Sequence, residues 1–207
     1  DYAEAHNNLG NVFKDVGQLD AALKSYKKAV TLKPDYVEAY YSLGTTFYDS
    51  EKLEEAVECY SKVVQLKPNL SLIHNNLGNI LRELGRLDEA VLSYEKAILI
   101  DPDFFEVYFN LGVTFQDMKD HSNSVYYYKK AVENNDNHPE AHNNLGVAYK
   151  ELKEYDLAIK SYEKAIDLRP EYADAHFNLG IILSDYGRLD SAIDCYKKAI
   201  KADTKFT

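Results

Sequence analysis

The chain has 207 residues, 45% of them apolar and 28% charged, with a net charge of −10. That is the composition of a globular protein and excludes an intrinsically disordered one. The acidic balance excludes a general binder of nucleic-acid backbones and favours neutral or basic partners. No apolar run is long enough to cross a bilayer, and no basic segment followed by an apolar one opens the chain. The chain starts at Asp1 without an initiator methionine and so reads as a trimmed piece. The two cysteines, Cys59 and Cys195, make no disulfide framework and suit a reducing compartment, so a cytoplasmic location is expected.

The dominant signal is a period. Gly10, Gly44, Gly78, Gly112, Gly146 and Gly180 each follow a leucine and stand 34 residues apart, without insertion. Self-similarity at such a period marks stacked repeats. The repeats run 3–36, 37–70, 71–104, 105–138, 139–172 and 173–206, forming a single domain over 1–207 with one continuous core. Counted from Ala3, Leu-Gly occupies positions 7 and 8.

In the first repeat, helix A carries His6, Leu9, Gly10 and Phe13 at helical spacing, and Gly17 supplies a left-handed cap. Helix B carries Ala22, Tyr26, Ala29 and Val30, and Pro34 stops it. A glycine inside a helix costs about 1 kcal/mol against alanine. Six of them at one position imply that helix B approaches the backbone of helix A closely. Capping-box-like pairs open helix A at Asp1/Glu4, Asp35/Glu38, Asp103/Glu106 and Asn137/Glu140, while Asn69/Leu72 breaks the pattern. Pro139 falls in the first turn of its helix, where proline is tolerated. The closing proline recurs as Pro68, Pro102 and Pro170 and is replaced by Asp136 and Thr204. The last helix B, with Ile193, Tyr196, Ala199 and Ile200, would expose apolar surface, as expected of a fragment or of an end that docks on something.

These features resemble the tetratricopeptide repeat, marked by W-x2-L-G-x2-Y, then A-x3-F, then P on a 34-residue period. The resemblance covers the whole chain. Position 4 departs from it, being His6, Tyr40, His74, Tyr108, His142 and His176 and never Trp. The A-x3-F element reads Ala22/Tyr26, Ala56/Tyr60, Ala90/Tyr94, Ser124/Tyr128, Ala158/Tyr162 and Ala192/Tyr196. The resemblance implies an all-α, right-handed superhelical solenoid of six helix-turn-helix repeats, with partners bound in the concave groove lined by the second face of helix A.

On a helix of 3.6 residues per turn, positions 4, 7, 8 and 11 form the core side, and positions 2, 5, 6, 9, 12 and 13 lie broadly opposite. Position 6 is Asn8, Ser42, Asn76, Asn110, Asn144 and Asn178. An amide offers both a donor and an acceptor, so such a row can read a peptide backbone whatever its side chains. It resembles the asparagine ladder in the repeat arm of O-linked N-acetylglucosamine transferases. The plainer alternative is that these amides contact neighbouring helices. Position 5 alternates between Asn7, Asn75 and Asn143 in odd repeats and Tyr41, Phe109 and Phe177 in even ones. The aromatics are candidate side-chain anchors, or else pack against the next helix A. Position 12 carries Lys14, Arg82 and Lys150 in odd repeats, and position 13 is acidic throughout, from Asp15 to Asp185. The lysine of position 26, Lys28 to Lys198, reads as a solvated outer face. The clamp of Lys and Arg that family members use for acidic chaperone tails is missing, since its places hold Asn7, Asn11, Ser42, Leu72 and Asn76.

Catalytic chemistry is not visible. The histidine column lacks partners at metal-ligand spacing, and no phosphate loop, nucleophile elbow or HExxH occurs. No cofactor or metal is expected, and no nucleic-acid or membrane partner. The expected function is a noncatalytic scaffold that binds an extended peptide or protein segment, neutral to basic, in its groove. Two alternatives stay open: the substrate-selecting arm of a larger enzyme such as a protein glycosyltransferase, and a solenoid that self-assembles through uncapped ends.

Overall fold

The structure, a computed structural model, describes residues 2–203. Among these, twelve helices and no strands are found: α1 (Tyr2–Asp15), α2 (Leu19–Leu32), α3 (Val37–Asp49), α4 (Leu53–Leu66), α5 (Ser71–Glu83), α6 (Leu87–Ile100), α7 (Phe105–Asp117), α8 (His121–Asn134), α9 (Pro139–Glu151), α10 (Tyr155–Leu168), α11 (Ala173–Asp185) and α12 (Leu189–Asp203). Odd-numbered helices are the A helices and even-numbered ones the B helices, so each period folds as one helix-turn-helix hairpin. The hairpins fall into two compact units, Asp1–Pro102 and Asp103–Thr207.

In both units the hairpin is built around one contact. The tyrosine at position 24 lies on the glycine at position 8. A methyl group added at Gly112 would stand 2.5 Å from Cδ1 and 2.8 Å from Cγ of Tyr128, and one at Gly10 would stand 2.5 Å from Cε1 of Tyr26. Tyr26, Tyr60, Tyr94, Tyr128 and Tyr162 are all buried, with Ala22, Ala56, Ala90, Ser124 and Ala158 closing the same seam. The close approach implied by six helical glycines is thus present. At the serine the seam gains a hydrogen bond, from Ser124 Oγ to the Gly112 carbonyl at 3.0 Å.

The core side follows the expected columns, with one correction. Leu43, Leu77, Leu111, Leu145 and Leu179 are buried, but Leu9 is 45% exposed. Among the described residues no hairpin packs against that side of α1. On α12, Ile193 and Ile200 are exposed as expected of the last B helix, whereas Ala199 is buried and Tyr196 half-buried; Leu189 is exposed as well.

The helix ends also differ from expectation. The N-cap residues of α3 and α7 are Tyr36 and Phe104, and neither makes a side-chain cap bond. Asp35 and Asp103 each lie one residue too early to cap. At α9 the cap is His138 rather than Asn137, its Nδ1 accepting from the Ala141 N–H at 3.2 Å. Pro139 sits at the start of that helix as expected. Asp1, of the pair with Glu4, and Thr204 lie outside the described residues.

The turn from A to B needs a left-handed residue in every repeat, and glycine fills it only at Gly17, Gly85 and Gly187. Glu51, Lys119 and Lys153 adopt the same conformation, with φ of 58°, 60° and 62°. A side chain there costs about 1–2 kcal/mol, against the greater entropy glycine loses on folding. Lys153→Gly is therefore expected to stabilise the protein by about 0.5–1 kcal/mol, read as a higher urea midpoint. An unchanged or lower midpoint would show that Lys153 is held there by contacts of its own.

Candidate functional site

The A helices are neighbours within each unit: α1 lies against α3, and α7, α9 and α11 follow one another. Position 6 stands on the face they share. In the second unit Asn110, Asn144 and Asn178 are each half-buried on successive A helices; in the first, Ser42 and Asn76 are half-buried and Asn8 is exposed.

Position 5 is different. Asn7, Asn75 and Asn143 are buried, so the Asn-Asn pairs of odd repeats do two jobs. The first asparagine packs inside and the second reaches the surface. In the second unit the two are chained together: Asn178 Nδ2 donates to Asn143 Oδ1 at 3.1 Å, and Asn143 Nδ2 donates to Asn144 Oδ1 at 3.3 Å. The equivalent acceptor in the first unit, Asn7 Oδ1, is buried with no hydrogen-bond partner. The next repeat carries Ser42 where Asn178 would be, and a hydroxymethyl group is shorter than an amide arm.

The even-repeat aromatics rest on the tyrosine column of their own repeats. Tyr41 meets Tyr60 edge-on at 6.0 Å, Phe109 lies 5.8 Å from Tyr128, and Phe177 lies 6.0 Å from Tyr196. Tyr41 and Phe109 are half-buried, and Phe177 is 52% exposed. Phe109 also belongs to a ring cluster with Phe105 and His138, at 6.2 and 5.3 Å.

The charged rows are partly spent on each other. Lys14 pairs with Asp49 at 2.8 Å and also donates to Thr45 Oγ1 at 3.2 Å, so it ties α1 to α3. Lys150 stands 3.6 Å from Glu151, and Arg82 is half-buried. The acids of position 13 stay exposed from Asp15 to Asp185. Tyr48 donates to Glu83 at 2.7 Å, linking α3 to α5. Beside this bond Tyr48, Tyr60, Asn76, Asn79 and Ile80 line a pocket of ≈ 210 Å³.

The tyrosine hydroxyls emerge at the same face. Tyr26 donates to Asn11 at 2.8 Å, Tyr94 to Asn79 at 2.7 Å and Tyr128 to Gln116 at 3.1 Å. Tyr162 has no partner for its buried hydroxyl; positions 9 and 12 of its repeat are Val147 and Lys150, neither of which offers an acceptor. Burial raises the phenols of Tyr60 and Tyr162 well above the ordinary value of 10.0.

The histidine column works as a junction lock. His74, His142 and His176 are buried, and the Nε2 of each donates to a carbonyl six residues earlier: Pro68 at 2.9 Å, Asp136 at 3.0 Å and Pro170 at 2.9 Å. Among the described residues no group of three His, Cys, Asp or Glu side chains gathers in a way that could hold a metal ion. Burial pushes the Cys59 thiol up to about 12. No helix among the described residues is long and apolar enough to cross a membrane.

Sequence models of the tetratricopeptide repeat match residues 139–172 and 173–206, and further models of this repeat match 105–138 and 10–50, 44–81 and 78–119. The chain belongs to the tetratricopeptide repeat family. No curated protein matches the sequence. Solved structures of similar fold include the MamA protein (24% identity, 83% of this chain and 94% of the other, TM-score 0.78). YrrB, described as a TPR protein with an unusual peptide-binding site, follows at 24% identity, 82% and 88% coverage and TM-score 0.73. A tetratricopeptide repeat protein from Parabacteroides merdae ATCC 43184 shares 20% identity over 97% and 80%, with a TM-score of 0.82.

Within this tetratricopeptide repeat chain, sequence reasoning placed the position-6 row on the open face and overlooked the Tyr48–Glu83 link beside it. The tyrosine column itself carried a usable signal. Asn11 and Asn79, at position 9, meet two of its hydroxyls, and Gln116, at position 12, meets a third.

Proposed function

We propose that the A-helix face of each unit binds an extended peptide or protein segment, and that the protein acts as a noncatalytic interaction scaffold. The observation that carries this reading is the row Asn110, Asn144 and Asn178, half-buried on three successive A helices. An amide offers two donor hydrogens and two acceptor sites, more than the bonds to Asn143 occupy at Asn144 and Asn178. The buried Asn143 bonds to both neighbours and so limits their rotamers, which lowers the cost of ordering them on binding. The half-exposed rings of Phe109 and Phe177 offer apolar contact beside that row, and the pocket at Tyr48 and Asn76 does so in the first unit. Exposed acids at position 13 favour a neutral or basic segment. YrrB, of the same fold, is described as having a peptide-binding site, which puts peptide capture within reach of this architecture.

The test is a selection from a random peptide display library on the wild-type chain. The recovered peptides are then measured against Asn110→Ala/Asn144→Ala/Asn178→Ala, with circular dichroism to verify folding. Three hydrogen bonds at about 0.5–1.5 kcal/mol each correspond to roughly a ten- to thousandfold loss of affinity. Peptides that bind the triple variant as tightly as the wild type would refute backbone capture by this row.

A further inference from the structure

The B-helix side of the second unit carries a feature that the A-helix face does not explain. Here α8, α9 and α10 border an open pocket of ≈ 360 Å³. Val132, Tyr149 and Leu157 supply apolar surface, and Lys129, Lys160 and Lys164 stand around them. Leu157 is 41% exposed. Lys164 is bonded to Asp136 at 2.6 Å, and the pocket's Glu133 is held by Lys130 at 2.7 Å. Lys129 and Lys160 are exposed and take part in neither pair.

The other repeats provide an internal comparison. The place of Leu157 is taken elsewhere by Ala21, Glu55, Glu89, Asn123 and Ser191. That of Lys160 is taken by Lys24, Glu58, Leu92, Tyr126 and Asp194. Repeat five alone combines an exposed leucine with a lysine one turn further along. Scaffold packing does not require the leucine, since two repeats place glutamate there. Three lysines against one glutamate around solvated apolar surface are also unusual in a chain of net charge −10.

We propose that this pocket is a second docking site, for an acidic segment of a partner protein that carries an apolar anchor residue. The anchor covers Val132, Tyr149 and Leu157, and flanking carboxylates of the partner meet Lys129 and Lys160. Charge complementarity selects that occupant. The A-helix face, lined with exposed acids, favours the opposite charge, so the two faces would take chemically different ligands and allow the chain to bridge them. This inference does not depend on the asparagine row.

The test uses the full chain and the same kind of library. Recovered peptides are sorted on Leu157→Glu, which installs the residue of Glu55 and Glu89, and on Lys129→Glu/Lys160→Glu. The expected result is a class of peptides with an apolar residue flanked by Asp or Glu. Their affinity falls at least tenfold in both variants and is unchanged in Asn110→Ala/Asn144→Ala/Asn178→Ala. The absence of such a class, or equal binding to wild type and both variants, overturns the proposal. So does capture by phosphatidylserine vesicles that is lost in the same variants, since the site would then be a membrane contact.

Discussion

Gly112→Ala is expected to destabilise the protein by about 2 kcal/mol, while Gly44→Ala stays near neutral. The two glycines share one position in the repeat, and both replacements gain about 1 kcal/mol of helix propensity. What differs is the neighbour. At Gly112 the new methyl would lie 2.5, 2.6 and 2.8 Å from Cδ1, Cε1 and Cγ of Tyr128. Those atoms include the root of a fully buried ring, which cannot swing aside as a side-chain tip can. Overpacking of this kind costs about 1–3 kcal/mol, occasionally more, and here the contacts are short enough to place it at the upper end. At Gly44 the nearest atom is Cys59 Cβ at 3.1 Å, and Tyr60 is no nearer than 3.5 Å. A shift of a few tenths of an ångström accommodates the methyl, and the propensity gain offsets the strain. Urea denaturation of the two variants side by side measures the difference. Equal midpoints would mean that the tyrosine–glycine contact does not set how close the two helices lie.

This contrast also marks what the sequence could reveal. The period, the hairpins and the need for close approach at position 8 were legible, because glycine inside a helix is costly and recurs in every repeat. That Gly44 is the loose one was not legible, because Tyr60 follows the same Ala-x3-Tyr element as Tyr26 and Tyr94 and differs only in how its ring sits. The left-handed turn residues were half legible: Gly17 announces its conformation, while Glu51, Lys119 and Lys153 are forced into it by the geometry of the hairpin. N-caps were displaced by a single residue, since Asp35 and Tyr36 are adjacent and only the backbone decides which one flanks the helix. Asn143 and Asn144 raise the same difficulty. Neighbouring residues point about 100° apart on a helix, and spacing alone does not say that the first is packed and the second open. The division after Pro102 had no sequence mark at all, because Pro34 and Pro68 close their repeats in the same way.

The tyrosine column leads to the second large effect, a loss of stability in alkali. A phenol kept neutral by burial has a folded-state value above its unfolded one. It therefore contributes stability that is complete below about pH 10 and disappears as pH rises towards the folded value. Burial is the main cause of the rise at Tyr60, in the first unit, and at Tyr162, in the second. Each is expected to remove about 1.4 kcal/mol per pH unit above pH 10. Tyr172, raised to about 12 chiefly by burial, acts in the same direction. Tyr162 allows the effect to be isolated, because its buried hydroxyl has no hydrogen-bond partner. Removing an unpartnered buried polar group relieves about 1–3 kcal/mol of desolvation cost. Tyr162→Phe should therefore match or exceed the wild type at pH 7 and lose stability less steeply above pH 10. Tyr94→Phe, whose hydroxyl donates to Asn79 at 2.7 Å, should instead cost about 1 kcal/mol at pH 7. Urea midpoints measured from pH 7 to pH 11 on the three proteins decide the matter. Parallel profiles for the wild type and Tyr162→Phe would show that this hydroxyl reaches solvent and that its burial is not what links the fold to pH.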